Sequence, residues 1–384
     1  MNKLFTIRIE ENNLCGYTKF GRSKRMTRVE ERFFELLRVA LGTQKELTSP
    51  IPVEEWNEIP EIAVKQCVMG LLLSAIEQLP RGQRPPNNIL LAVHDRVQEI
   101  EEQNRYINKL TYATSKRFEV DGFPNCILKG QGIATLYPNP LRRESGDIDV
   151  WLQGDRDKII EYVRNVGEAQ EPSPLHIGFD LKDGTPVEAH FTPSYFSNPF
   201  TDRKFNKWAK ERQAEQNKHY VPFDEGTKLP IPTIEFNIVF ILCHAYQHFI
   251  GTGVGLRQLI DYFYVLKHAH EEASPSSLHA LRSTLHELSL DKFCAAVCWL
   301  LHTQLGLPSE YLIVEPNAKE GEFLLKEVLL TGNFGHSDER TANGHRLSGK
   351  RYRLGHLFLA YPSEVFWYTL QGIKRLITRE EPID

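Results

Sequence analysis

The stretch "DIDVWL", residues 147–152, constrains this chain more than any other. Read as a strand, it alternates faces, so Asp147 and Asp149 point one way while Ile148 and Val150 point the other, into a core. Two carboxylates side by side repel each other, and that cost has to be offset. The natural offset is a cation. The fold must therefore build a small sheet here, apolar on one face and acidic on the other.

The surroundings of that strand are helical. "RVEERFFELLRVAL" (28–41) sets Phe33, Leu36, Leu37 and Ala40 on one stripe. A second helical region, 52–79, is expected to break at Pro60. After the turn "PRGQRPPNN", a long charged helix is expected from Ile89 to about Val120. The pattern changes at "DGFPNC". Short strand-like pieces follow at 126–129, 147–152, 176–181 and 186–192, the last two flanking "KDGT", a hairpin signal. "GQGIATLY" reads as a short helix and "DRDKIIEYVRNVG" as a longer one. Beyond Pro199 helices return, among them the apolar "TIEFNIVFILCHAYQHFI" (233–250). The segment 329–350 is a polar loop region, and a last helix follows at 361–377. The expected class is α+β: a helical N-terminal region (1–120), a small mixed-sheet core (121–200) and a helical C-terminal region (201–384).

Composition narrows the function classes. A net charge of -4 gives no bulk attraction to nucleic acid, although "GRSKRMTR" (21–28) is a local basic cluster, read as solvated surface. The longest apolar run carries Glu235, Asn237 and two histidines, so no membrane span is expected, and the N-terminus lacks a signal-peptide pattern. A cytoplasmic address follows by default. The cysteines at 15, 67, 126, 243, 294 and 298 form no Cys-x-x-Cys pair; Cys294 and Cys298, four apart, read as buried in an apolar helix.

The chemistry gathers around the acidic strand. Mg²⁺ (or Mn²⁺) prefers oxygen ligands and keeps open positions for phosphate, which suits Asp147 and Asp149. In "VEAHF", Glu188 and His190 share a face. If that strand lies beside 147–152, Glu188 becomes a third carboxylate, and three such groups can hold two metal ions. The turn Lys129-Gly130-Gln131 joins a strand to a helix N-terminus, whose amides and dipole favour a phosphate. Lys129 adds a charge, and Arg142 and Arg143 can grip phosphate oxygens bidentately. Taken singly, Asp-x-Asp also describes a solvated strand end and Lys-Gly-x-Gly an ordinary turn; the combination points to a metal-phosphate site.

The segment "LKGQGIATLYPNPLRRESGDIDVWL" resembles the signature of a bacterial family of uncharacterised nucleotidyltransferases within the DNA polymerase β-like superfamily. The shared pattern is Leu-Lys-Gly, an apolar helix, Tyr-Pro, a basic loop and Asp-x-Asp, and "VEAHF" is similar to the family's acidic-x-His strand. "HAYQHFIGTGVGLRQLIDYFYVL", "GNFG" and "YPSEVFW" resemble it too, so the similarity spans most of the chain. One departure is that Gln131 stands where the superfamily's Gly-Ser turn has its serine. The resemblance implies transfer of a nucleoside monophosphate from an NTP to an acceptor hydroxyl. Asp147, Asp149 and Glu188 would be catalytic and metal-binding, and Lys129, Gly130, Gln131, Arg142 and Arg143 nucleotide-binding. The acceptor stays open: a small molecule, a protein or an RNA end.

His244 and His248, one helical turn apart, read first as histidines hydrogen-bonded within a bundle and second as metal ligands; Ala245 stands where a zincin helix has glutamate. Arg257 and Asp261 share that spacing and are expected to pair with each other. With His190, these residues form the expected pocket wall. Two rival functions keep the fold: a binding or regulatory module without transfer chemistry, and a metal-dependent phosphohydrolase.

Overall fold

A computed structural model describes residues 26–335 and 346–378. Cys15, most of the basic cluster 21–28 and part of the polar segment 329–350 lie outside the described residues.

Three helices open the fold: α1 (Arg28–Leu41), α2 (Val53–Lys65) and α3 (Met69–Gln78). A capping box starts α1, with Thr27 Oγ1 accepting from the Glu30 amide and the Glu30 carboxylate accepting from the Thr27 amide. Contrary to expectation, α2 runs through Pro60; the chain breaks later, at Cys67, whose φ is +53°. What holds that break is Gln66, fully buried, which donates to the Val328 carbonyl at 2.8 Å and accepts from the Leu256 amide at 2.9 Å. A tertiary tie, not the proline, decides where the helix ends.

Next comes α4 (Asn87–Val120), 34 residues and so about 50 Å long. It is followed by β1 (Asn125–Ile127), α5 (Lys129–Ala134), β2 (Ile148–Leu152), α6 (Arg156–Val166), β3 (Glu168–Ala169), β4 (His176–Asp180) and β5 (Pro186–His190). The five strands form one mixed sheet in the order β1-β2-β5-β4-β3. β2 and β5 run parallel, with Asp149 opposite Glu188 and Trp151 opposite His190. The expected hairpin is present, β4 and β5 pairing antiparallel with His176 opposite His190 and Gly178 opposite Glu188.

Alternation then separates two faces. Ile148, Val150, Ile177, Val187 and Ala189 are all within 1% of complete burial and pack with Ile107 and Phe118 of α4 and with Ile159 and Val163 of α6. The opposite face carries Asp149, Glu188, His190 and His176.

The C-terminal half comprises α7 (Pro199–Gln216), the ribbon β6 (Tyr220–Pro222) and β7 (Lys228–Pro230), α8 (Ile234–Ile250), α9 (Leu256–Glu272), α10 (Pro275–Glu287), α11 (Asp291–Thr303), α12 (Ala318–Thr331), α13 (Arg346–Ala360) and α14 (Pro362–Thr378); α8 and α9 roof the polar face, while Leu229 of the ribbon joins the core on the apolar face. Trp151 stacks on Phe236 of α8, ring centroids 5.5 Å apart, and Phe236 stacks in turn on Trp208 of α7 at 4.8 Å. The N-terminal and C-terminal helices share one apolar core, which runs from Phe33 to Val365 and includes Cys294 and Cys298. The fold is thus α+β, a small mixed sheet flanked by helices. Among the described residues no helix is long and apolar enough to cross a membrane.

Candidate active site

The parallel pairing of β2 with β5 sets Asp149 beside Glu188, and Asp147 follows on the same side just before β2 begins. One oxygen from each of the three carboxylates lies within 4.8 Å of the others. They sit in a cavity of about 410 Å³ between the sheet and the α8–α9 pair.

Such a cluster has to be neutralised, and this chain does so with its own cations. Lys129 Nζ lies 2.7 Å from Asp149 Oδ1, the lysine 16% exposed and the aspartate 1%. His190 Nε2 lies 2.9 Å from Asp149 Oδ1 and 3.0 Å from Glu188 Oε2, while its Nδ1 reaches the Thr192 carbonyl at 3.3 Å. Burial pulls the His190 imidazole down, but the hydrogen bonds to Asp149 and Glu188 outweigh it and raise the pKa to about 9. As an imidazolium, His190 donates at both nitrogens. Burial pushes Glu188 up, yet His190 and Lys129 bring it down to about 2. Burial likewise opposes the charge on Lys129, and Asp149 with Asp147 and Glu188 more than restores it.

Local backbone puts Lys129 there. Its φ of +37° is a left-handed value that a lysine adopts only when its surroundings impose it, and Gly130, also at +37°, continues the turn. Gly132 lets α5 close on β1: a Cβ there would stand 2.9 Å from the Ile127 carbonyl oxygen. At six residues, α5 is shorter than "GQGIATLY" suggested and contributes little dipole.

Two residues expected at the nucleotide turn away. Gln131 is 3% exposed; its amide donates to Asn108 Oδ1 at 2.6 Å and accepts from the Ser145 hydroxyl. The glutamine ties α5 to α4 and to the loop before β2 instead of lining the cavity. Arg142 is held outside, pairing with Glu101 at 3.0 Å and with Glu77 through two nitrogens. Arg143 does line the cavity but is committed to Asp261, with Nε to Oδ1 at 2.8 Å and Nη2 to Oδ2 at 2.7 Å; Tyr137 donates to the same Oδ1. α4 fixes this loop further, Asn104 donating to the carbonyls of Leu141 and Arg143.

Because Arg143 takes Asp261, the expected Arg257–Asp261 pair does not form. Arg257 instead donates to the Glu144 carbonyl at 2.9 Å and lies 5.2 Å from the Phe334 ring centroid, and its buried Nε has no hydrogen-bond partner among the described residues. Burial, and then repulsion from Arg143, lowers its pKa. Among the described residues no carboxylate pairs with this arginine, although four line the cavity, so it is equipped to receive an anion.

His244 and His248 also line the cavity, rings 4.5 Å apart and nearly perpendicular. Burial and then the charge of Lys129 hold both neutral, His248 down to about 3. His248 Nδ1 contacts Thr252 Oγ1 at 3.2 Å. Neither joins the carboxylate cluster.

His176 was missed in the sequence, although the hairpin register signals it: counting back from "KDGT" sets it opposite His190. Phe334, Gln247 and Tyr368 complete the wall from segments far away along the chain; Phe334 lies in "GNFG" and Gln247 in "HAYQHFIGTGVG", stretches whose resemblance to the family assigned neither residue a role.

A family model described as uncharacterised nucleotidyltransferase matches residues 52–306. No curated protein matches the chain. Among solved structures, the crystal structure of an antigenic nucleotidyltransferase-like protein from Paracoccidioides brasiliensis is similar at 12% identity, over 55% of this chain and 94% of that one, with a TM-score of 0.33.

Proposed function

The chain belongs to the uncharacterised nucleotidyltransferase family, and from that premise we propose that it moves a nucleoside monophosphate from an NTP to an acceptor hydroxyl, releasing pyrophosphate. The observation that carries this reading is the register Asp149 opposite Glu188, which with Asp147 gathers three carboxylates at the floor of a cavity whose wall holds Arg257. The donor set is all oxygen, as Mg²⁺ or Mn²⁺ requires. Asp147, Asp149 and Glu188 would hold the ion or ion pair. Such an ion supplies two effects, a lower pKa for the attacking hydroxyl and charge neutralisation at the leaving pyrophosphate.

This chain's own residues do the rest. Glu188, more exposed than Asp149, would help to accept the proton of the acceptor hydroxyl. Lys129, once free of Asp149, has phosphate oxygens within its reach, and Gly130 leaves room for them. Arg257 supplies the guanidinium that Arg142, held on Glu77 and Glu101, does not. The neutral imidazoles of His244 and His248 form a wall suited to the base or the acceptor. We assign the transfer chemistry to residues 121–200, with 1–120 and 201–384 as the enclosing helical regions, and its place to the cytoplasm.

The test is to offer each NTP, labelled at its α-phosphate, with Mg²⁺ and cell extract. Label joined to an acceptor supports transfer. Free monophosphate as sole product would make the protein a phosphohydrolase, and no turnover beside tight NTP binding would make it a regulatory module.

A further inference from the structure

The acidic row does not end at Glu188. β4 continues it, because antiparallel pairing sets His176 opposite His190 on the same face. His176, Glu188 and His190 each bring one ligand atom within 4.8 Å of the others. The two imidazole rings stand 5.1 Å apart between centroids. His176 Nδ1 is buried, lies 3.5 Å from Glu188 Oε2, and has no hydrogen-bond partner among the described residues. A buried ring nitrogen left unpaired costs about 1–3 kcal/mol and needs a reason. On His190, the Thr192 carbonyl accepts from Nδ1 and so turns Nε2 toward Glu188 and Asp149, the arrangement that commonly orients a metal-binding imidazole; a cation taking Nε2 would displace its proton to solvent. Gly178, opposite Glu188, carries no side chain, and the Gln170 amide fills the place one would take.

We propose that His176, Glu188 and His190 form a second cation site, distinct in chemistry from the oxygen trio, that takes a nitrogen-preferring divalent ion of the Zn²⁺ class. Two imidazoles and a carboxylate suit Zn²⁺ or Co²⁺, whereas Mg²⁺ favours the all-oxygen set. The site rests on the same acidic face as the transfer reading but not on the reaction itself.

The experiment uses the full metal-stripped chain and metal alone, so it stands or falls independently of any NTP assay. Zn²⁺ and Mg²⁺ are titrated calorimetrically into wild type, His176→Ala, His176→Gln and Asp147→Asn. The expected result is that both His176 variants weaken Zn²⁺ binding at least tenfold and leave Mg²⁺ within about threefold, while Asp147→Asn does the reverse. Co²⁺-loaded wild type gives a reading independent of folding in the variants: paramagnetically shifted ring protons from two histidines are expected. Unchanged Zn²⁺ affinity in His176→Gln, equal loss of both ions in Asp147→Asn, or no shifted histidine signals would overturn the site.

Discussion

Asp147 and Asp149 look equivalent in sequence, but replacing each by asparagine should have opposite consequences for the metal-free fold. Asp147 is half-buried and, among the described residues, makes no hydrogen bond or ion pair. Asp147→Asn removes a like charge from the cluster and should leave stability within about 1 kcal/mol of wild type, or raise it. Asp149 is 2% exposed and anchors both Lys129 and His190. Removing one partner of a buried ion pair costs about 3–5 kcal/mol. Here Glu188 keeps its contact with His190, and Lys129 at 16% exposure can recover some hydration. A loss of about 2–4 kcal/mol is therefore expected. With an unfolding entropy of about 2 cal/mol/K per residue over 384 residues, that is a fall of about 3–5 °C in Tm. Melts in EDTA measure it. Adding Mg²⁺ at a hundred times its Kd should then stabilise wild type by about 2.7 kcal/mol and neither variant. Equal destabilisation of the two variants in EDTA would refute the asymmetry, and equal Mg²⁺ stabilisation of all three proteins would refute the metal assignment.

Three further outcomes are expected. Arg257→Gln should weaken binding of a non-hydrolysable NTP analogue roughly ten- to a hundredfold by calorimetry, the loss of a charge-assisted contact, while Arg142→Gln, whose arginine sits outside the cavity on Glu77 and Glu101, should not change it. Lys129→Ala should tighten Mg²⁺ binding, since the ion no longer competes with an ammonium 2.7 Å from Asp149; weaker Mg²⁺ binding would contradict that competition. Stability of the metal-free protein should depend on pH through His190. Its folded pKa is raised to about 9 from 6.5, so its contribution is complete below about 6.5 and lost as pH rises through about 9. Glu188, lowered to about 2 from 4.5, contributes above about 4.5 and loses that contribution as pH falls through about 2. Denaturant melts of His190→Gln should lack the alkaline decline that wild type shows.

What the sequence by itself determined is local. Alternation in "DIDVWL" and "PVEAHFT", with Asp-Gly between two strands, was enough to read the strands, the hairpin and which residues face the core, because those follow from backbone geometry over a few residues. The α1 stripe and the long α4 were legible for the same reason. Partnership between distant segments was not. The parallel pairing that sets Glu188 beside Asp149 depends on a crossover through α6, β3 and β4, and no pattern within either strand fixes that register. Arg142 and Arg143 are neighbours in sequence, yet one meets Glu77 and Glu101 and the other Asp261, because α3, α4 and α9 approach the loop from different sides. Arg257 and Asp261 have the spacing of a helical pair, but a buried bidentate arginine from elsewhere competes successfully for the aspartate. Gln131 and Pro60 tell the same story: one turned inward by Asn108 and Ser145, the other carried inside a helix whose end is set by Gln66. Charge and spacing identify which groups can do chemistry; only packing decides which of them are already spoken for.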